Sequence, residues 1–162
     1  MEDDQSEKER AVSATIDRFD GEYEFLSSFH SAPVRFEGMR FPTVEHAYQA
    51  AKTSSHEERI AIQACPTPGR AKRMGRRVSV RDDWNDVKIV VMDELLHAKF
   101  ARPQLRDLLL ATGDVVLIEG NHWHDQFWGV CTGCKHGCEG VGENQLGRLL
   151  MSLRRELRGD RG

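Results

Sequence analysis

Apolar residues recur along the chain with two periods. Val34 and Phe36, then Met39 and Phe41, alternate with polar residues around Glu37-Gly38. This predicts a β-hairpin with a tight turn, stopped by Pro42. Thr43 then suits the N-cap of a helix running from Val44 to about Lys52. Ser55 and Glu58 have capping-box spacing and open a second helix. Thr67-Pro68 opens a third, short helix that ends at Gly75. The longest helical signal covers residues 83–101, with Trp84, Val87, Val91, Leu95 and Ala98 on one stripe. Pro103 starts a helix through Leu110, ended by Thr112-Gly113, and Val115–Glu119 reads as a short buried strand. Residues 120–143 have no period and form a long loop, a length usually kept for function. Leu146, Leu149, Leu150, Leu153 and Leu157 make a final amphipathic helix with Asn144 as its cap. The pattern predicts one α+β domain over residues 18–158, mainly helical with a small antiparallel sheet. Residues 1–17 read as a flexible tail or loosely docked helix, and 159–162 as a C-terminal tail.

Composition narrows the class. A chain of 162 residues suits a single domain with a real core. No apolar run approaches a membrane span, and no secretory segment follows Met1, so a cytoplasmic protein without a membrane partner is expected. A net charge of −3 gives the whole molecule no attraction to nucleic acid. Locally, Arg70, Lys72, Arg73, Arg76, Arg77 and Arg81 cluster within twelve residues. They can hold phosphate through point charges and bidentate forks, or form a solvated helix face.

Candidate chemistry lies in four places. Glu45 sits in the first turn of its helix, where the dipole favours a carboxylate and where a general acid–base or ribose-binding group can also stand. Lys88 shares a helix face with Trp84, four residues earlier. An amine beside apolar surface loses solvation, and its pKa falls toward nucleophilic use; the alternative is a lysine that reaches out to water. In the segment from Asn121 to Gly129, Trp123, Phe127 and Trp128 can stack on a flat base, and Asp125 supplies a carboxylate. The same aromatics can instead anchor a loop. Cys131, Cys134, His136 and Cys138 offer soft ligands to zinc, with imperfect spacing and no second paired knuckle. Unligated thiols are the alternative, and neither a metal nor a cofactor is assigned to the site.

Several blocks resemble the NADAR family of YbiA-like N-glycosidases. They are Phe25-Leu26-Ser27-Ser28-Phe29, Phe36-Glu37-Gly38, and Pro42-Thr43-Val44-Glu45-His46-Ala47-Tyr48-Gln49-Ala50-Ala51-Lys52. Further on come Asp83-Trp84, Lys88, Met92, Lys99-Phe100, Leu109, Thr112-Gly113-Asp114, Glu119, Asp125, Trp128-Gly129 and Asn144 through Met151. The likeness spans nearly all of residues 19–157. It implies an α+β fold and hydrolysis of a bond from ribose C1 to an exocyclic nitrogen. The implied substrate is either a ribosylamino-pyrimidine phosphate of riboflavin synthesis or ADP-ribosylated guanine, including guanine within DNA, with functional pairing to a DarT-type toxin. It further suggests Lys88 as a Schiff-base nucleophile, with Glu45 or Asp125 moving protons; the competing mechanism is direct hydrolysis, with a carboxylate activating water and no covalent step. Trp84 and Trp128 would wall the pocket, Arg73 and Arg76 would hold phosphate, and Ser27, Phe29, Asn121, Gly129 and Asn144 would border the substrate. The rival reading is a module that binds ADP-ribose or NAD without cleaving it.

Overall fold

The computed structural model describes residues 14–159. In chain order its elements are β1 (Thr15–Ile16), a 3-10 turn (Gly21–Leu26), β2 (Val34–Phe36), β3 (Met39–Phe41), α1 (Val44–Ala51), α2 (His56–Gln63) and α3 (Pro68–Gly75). Then follow α4 (Trp84–Phe100), α5 (Pro103–Ala111), β4 (Val116–Leu117), β5 (Gly120–Asn121), β6 (Val130–Cys131) and α6 (Gln145–Gly159). The fold is a helix-rich α+β domain, as the apolar periods require.

Local signals place most of these elements. The hairpin β2–β3 pairs antiparallel with Val34 opposite Phe41, and its turn puts Glu37 and Gly38 at φ +45° and +81°. The hydroxyl oxygen of Thr43 accepts from the His46 N–H at 3.2 Å and caps α1. Ser55 and Thr67 cap α2 and α3 in the same way. Each such cap satisfies a backbone donor that the helix cannot.

The strands differ from the expected sheet. Among the described strands β2–β3 is antiparallel, as is the isolated bridge from Thr53 to Val80, whereas β1–β4 and β5–β6 are parallel ladders of two residues each. β1 pairs Thr15 with Val116 and Ile16 with Leu117, so the domain begins within the stretch read as a tail. Residues 1–13 of that tail, and 160–162, lie outside the described residues. Ladders this short do not stand alone. Asn144 stitches the region together: its Nδ2 donates to Leu117 O at 2.8 Å, and its Oδ1 accepts from Glu119 N at 3.0 Å. The side chain expected to cap α6 is therefore spent on the strand, although its carbonyl still accepts the Arg148 N–H.

α1 is the centre of the domain, packed by α2, α3, α4 and the hairpin, and all eight of its residues are buried. Buried polar groups need partners. His46 finds them in Thr43 Oγ1 (2.8 Å) and Cys65 O (3.0 Å), which makes it structural. α4 buries Trp84, Val91, Met92, Leu95, Leu96, Lys99 and Phe100. The stripe is two residues wide and leaves Ala98 outside, because α1 and α6 both pack on this helix. On α6, Leu146, Leu150 and Leu153 close the core. Buried Arg154 donates to Thr112 Oγ1 (2.7 Å) and Val115 O (2.8 Å), fixing the turn from α5 into β4.

Candidate active site

A polar row interrupts the buried surface of α1. Glu45, Tyr48, Gln49 and Lys52 recur at helical spacing and face a cavity of about 390 Å³. The opposite wall comes from Glu119 in the link between β4 and β5, from Asn121 on β5, and from Asp125 and Trp128 in the loop that follows. Ser27, Ser28 and Phe29, carried on the segment after the 3-10 turn, complete the rim.

Glu45 is buried and held from two sides. Gln49 Nε2 donates to its Oε1 at 2.7 Å, and Ser28 Oγ donates to its Oε2 at 3.2 Å. Its backbone N–H also bonds Ser28 O at 3.1 Å, which ties the rim segment to α1. Glu119 is less well served. Its Oε2 is buried without a hydrogen-bond partner among the described residues. Desolvation, with a smaller push from the Asp125 carboxylate, raises its pKa to about 7, so it holds a proton at neutral pH far more than an ordinary glutamate. Asp125 is fixed by its own turn, its Oδ1 accepting from the N–H groups of Phe127 (3.2 Å) and Trp128 (2.9 Å). Three carboxylates thus meet in one cavity, Glu45 and Asp125 each held by hydrogen bonds and Glu119 buried with one oxygen unpartnered among the described residues.

Two lysines line the same cavity. Burial lowers the pKa of Lys52, with Glu45 opposing and Lys72, Arg76 and Lys88 reinforcing the fall. Lys72 stands at the mouth between two exposed rings, its Nζ 5.9 Å from the Phe29 centroid and 6.0 Å from that of Trp123. Between floor and wall, Trp128 Nε1 donates to Tyr48 Oη at 3.2 Å, and the two rings meet edge to face at 5.4 Å. Burial raises the Tyr48 pKa, which keeps its phenol neutral.

Of the residues expected at the site, Glu45, Asp125, Trp128, Ser27, Phe29 and Asn121 line this cavity. Asn121 uses its amide on the loop itself, bracketing Asp125 O (2.8 Å) and Asp125 N (2.9 Å). The others stand elsewhere. Trp84 is buried behind the wall and packs on Tyr48 with centroids 5.0 Å apart. Lys88 lies outside the lining, its Nζ 4.0 Å from the Phe127 ring centroid and 3.4 Å from Asn85 Oδ1. Gly129 serves close packing, since a Cβ there would fall 2.1 Å from Glu119 O. Asn144 holds strand backbone. Arg73 lines a separate depression beside Cys65 and Met74, and Arg76 is exposed on α3. The basic side chain that α3 sends into the cavity is Lys72.

Sequence reasoning passed over Lys52, Tyr48 and Glu119 as site residues, and named Lys72 only as one of the basic cluster around α3. The first two carried a readable signal: polar positions 45, 48, 49 and 52 share one face of a helix that, His46 apart, is otherwise apolar. Glu119 carried another, a carboxylate closing the apolar run Val115-Val116-Leu117-Ile118. In the cysteine loop the structure gathers His124, not His136, with Cys131, Cys134 and Cys138.

Known proteins share this architecture. Residues 16–158 match the NADAR domain. The chain is 40% identical over 139 residues to N-glycosidase YbiA of Escherichia coli K12, covering 84% of this chain and 82% of that protein. It is 35% identical over 141 residues to a riboflavin biosynthesis protein of Vibrio vulnificus, of which it covers 36%. The NMR structure of E. coli YbiA superposes with a TM-score of 0.74 at 35% identity, covering 93% of this chain and 92% of the other.

Proposed function

The chain belongs to the NADAR family and is a hydrolase of N-glycosyl bonds, and we propose that the bond it cuts joins C1 of a phosphorylated ribose to an exocyclic nitrogen of a base. The observation that carries this reading is the meeting of Glu45, Glu119, Asp125 and a desolvated Lys52 in one cavity. An exocyclic N-glycoside opens when the bond from C1 to the ring oxygen breaks and that oxygen takes a proton, leaving an imine at C1. Lys52 Nζ adds to C1, the base amine leaves with a proton, and a C1–Nζ Schiff base remains. Water then adds to the same carbon and releases the ribose aldehyde and free lysine.

Each role follows from an environment. Glu119, with a pKa of about 7, supplies the proton to the ring oxygen and the leaving amine. Asp125, anchored through Oδ1, takes the proton from the attacking water. Glu45 is held in place by Ser28 and Gln49 and suits the ribose hydroxyls. Trp128 offers a ring face for the base, and Lys72 at the mouth meets the phosphate. Lys52 takes the nucleophile role expected of Lys88 because Lys52 lines the cavity, whereas the Lys88 ammonium rests on Phe127.

The primary substrate in this reading is a ribosylamino-pyrimidine phosphate, in keeping with the riboflavin name of the Vibrio relative. A second reading, ADP-ribosylated guanine, is favoured by the exposed Phe29 and Trp123 rings, on which a second base can stack. Turnover of both compounds measured side by side decides between them. Borohydride trapping tests the chemistry. A substrate adduct that is lost in Lys52→Ala and kept in Lys88→Ala supports the mechanism. The opposite pattern returns the role to Lys88, and turnover with no adduct means direct hydrolysis by a carboxylate-activated water.

A further inference from the structure

We propose that His124, Cys131, Cys134 and Cys138 form a structural zinc site that clamps one wall of the cavity. The four ligand atoms all lie within 4.8 Å of one another, although their residues come from two separate parts of the loop. His124 Nδ1 stands 3.2 Å from Cys138 Sγ and 3.8 Å from Cys131 Sγ. Ligand atoms around a tetrahedral zinc, with Zn–S of about 2.3 Å and Zn–N of about 2.0 Å, sit roughly 3.5–3.8 Å apart. One ion can therefore reach all four atoms once the sulfurs of Cys131, Cys134 and Cys138, which touch one another, spread apart around it.

A disulfide accounts for the arrangement less well. Cys138 Sγ is close to both Cys131 Sγ and Cys134 Sγ, yet one sulfur can form only one such bond. Either pairing would strand a third thiol and an imidazole beside it. A metal uses all four. Three thiolates and one neutral imidazole bind Zn²⁺ with a net charge of −1 and the loss of three thiol protons. The donor set is soft, which favours zinc over calcium or magnesium.

The backbone fits the same purpose. Gly133 and Gly137 take φ of +67° and +74°, so the chain can wind tightly enough to present three sulfurs from eight residues. His124 is itself at φ +66°, a conformation that costs a non-glycine residue energy and persists where its surroundings require it. The Gly140 N–H donates to Cys131 O at 2.8 Å and the Cys131 N–H to Val141 O at 2.9 Å, closing the knuckle.

Four protein ligands leave no open position, so this zinc activates no water. Its role is mechanical. His124 lies between Trp123 and Asp125, and Thr132 follows Cys131; all three neighbours line the cavity. Fixing His124 to the cysteine knuckle fixes the wall that carries Asp125. This inference stands apart from the identity of the glycoside and from the reaction that cleaves it.

The test uses the full chain, purified under reducing conditions without a metal-affinity tag. Elemental analysis should find one zinc per chain, and Co²⁺ reconstitution of the wild-type protein should give the charge-transfer bands of thiolate ligation. His124→Asn should weaken zinc retention against a chelator at least about ten-fold, and His136→Asn should leave it unchanged. Failure of the wild-type chain to bind zinc or Co²⁺ overturns the proposal. So does a thiol titration of denatured chain, isolated separately without reductant, that finds two fewer than its four cysteines. Metal loss in His136→Asn with retention in His124→Asn overturns the ligand set.

Discussion

A Cβ built on Gly75 would stand 1.9 Å from Oε1 of Gln49. The bare glycine lets α3 lie against α1 where Gln49 reaches across to Glu45, donating from Nε2 at 2.7 Å. Gly75→Ala must shift the helix or turn the amide away, and overpacking of this kind costs roughly 1–3 kcal/mol. The expected result is a lower Tm together with a lower kcat. Gly69→Ala, at a position in the same helix with no crowding closer than 4.0 Å, should keep both, because alanine favours a helix. Thermal melts and steady-state kinetics on the two variants check the contact. Unchanged kcat in Gly75→Ala would show that Gln49 does not order Glu45.

Glu119 should write its titration into both stability and rate. Its folded pKa, about 7, lies above the ordinary 4.5 because burial penalises the charged form. The stability it contributes is present below about pH 4.5 and is lost as pH rises through about 7. Glu119→Gln therefore gains stability relative to the wild type at pH 8 and not at pH 4, by at most ~3 kcal/mol. Its kcat should fall, and the decline of the wild-type rate above pH 7 should flatten. Urea unfolding at the two pH values and a pH–rate profile measure both effects.

Lys72 and Arg73 are neighbours in sequence that face different surroundings. Lys72 lines the cavity, whereas Arg73 lines a separate depression. A lost charge-assisted contact to phosphate is worth about 1.5–3 kcal/mol, so Lys72→Ala should raise KM by at least about ten-fold. Arg73→Ala should change it less than about two-fold. The Lys72 effect should shrink as salt is added. Equal effects from the two variants would assign phosphate binding to the diffuse charge of α3.

These contrasts explain what the sequence could reveal. Helices α1 to α3 were legible because caps at Thr43, Ser55 and Thr67 are local, as is the Glu37-Gly38 turn. The β1–β4 ladder was not, since two-residue strands carry no period and Thr15 meets Val116 only through the tertiary fold. Glu45, Asp125 and Trp128 came from family motifs, and the cavity gathers all three. The α3 cluster misled because a helix turns about 100° per residue, so adjacent basic residues diverge. Spacing within the cysteine run points to His136 and gives no sign of His124. The loop instead folds back and brings His124 to the sulfurs, which linear spacing cannot show.

Lys99 acts on the site from behind. It is fully buried, and its Nζ donates to Ser27 O at 2.7 Å. The next residue, Ser28, accepts the Glu45 N–H and donates to the Glu45 carboxylate. Lys99→Met should loosen that link and lower kcat without touching the substrate. Its stability effect has a defined sign. Desolvation lowers the Lys99 pKa to about 7, with Glu119 opposing. The stability contributed by the neutral amine is thus present above about pH 10.5 and is lost as pH falls through about 7. At pH 10 the methionine variant should be less stable than the wild type by about 0.5–1.5 kcal/mol, the worth of the lost hydrogen bond. By pH 7 the gap should close or reverse, because the wild type must then carry a buried ammonium. Urea unfolding at the two pH values checks the reversal, and a gap of constant size would mean that Lys99 does not titrate in the fold.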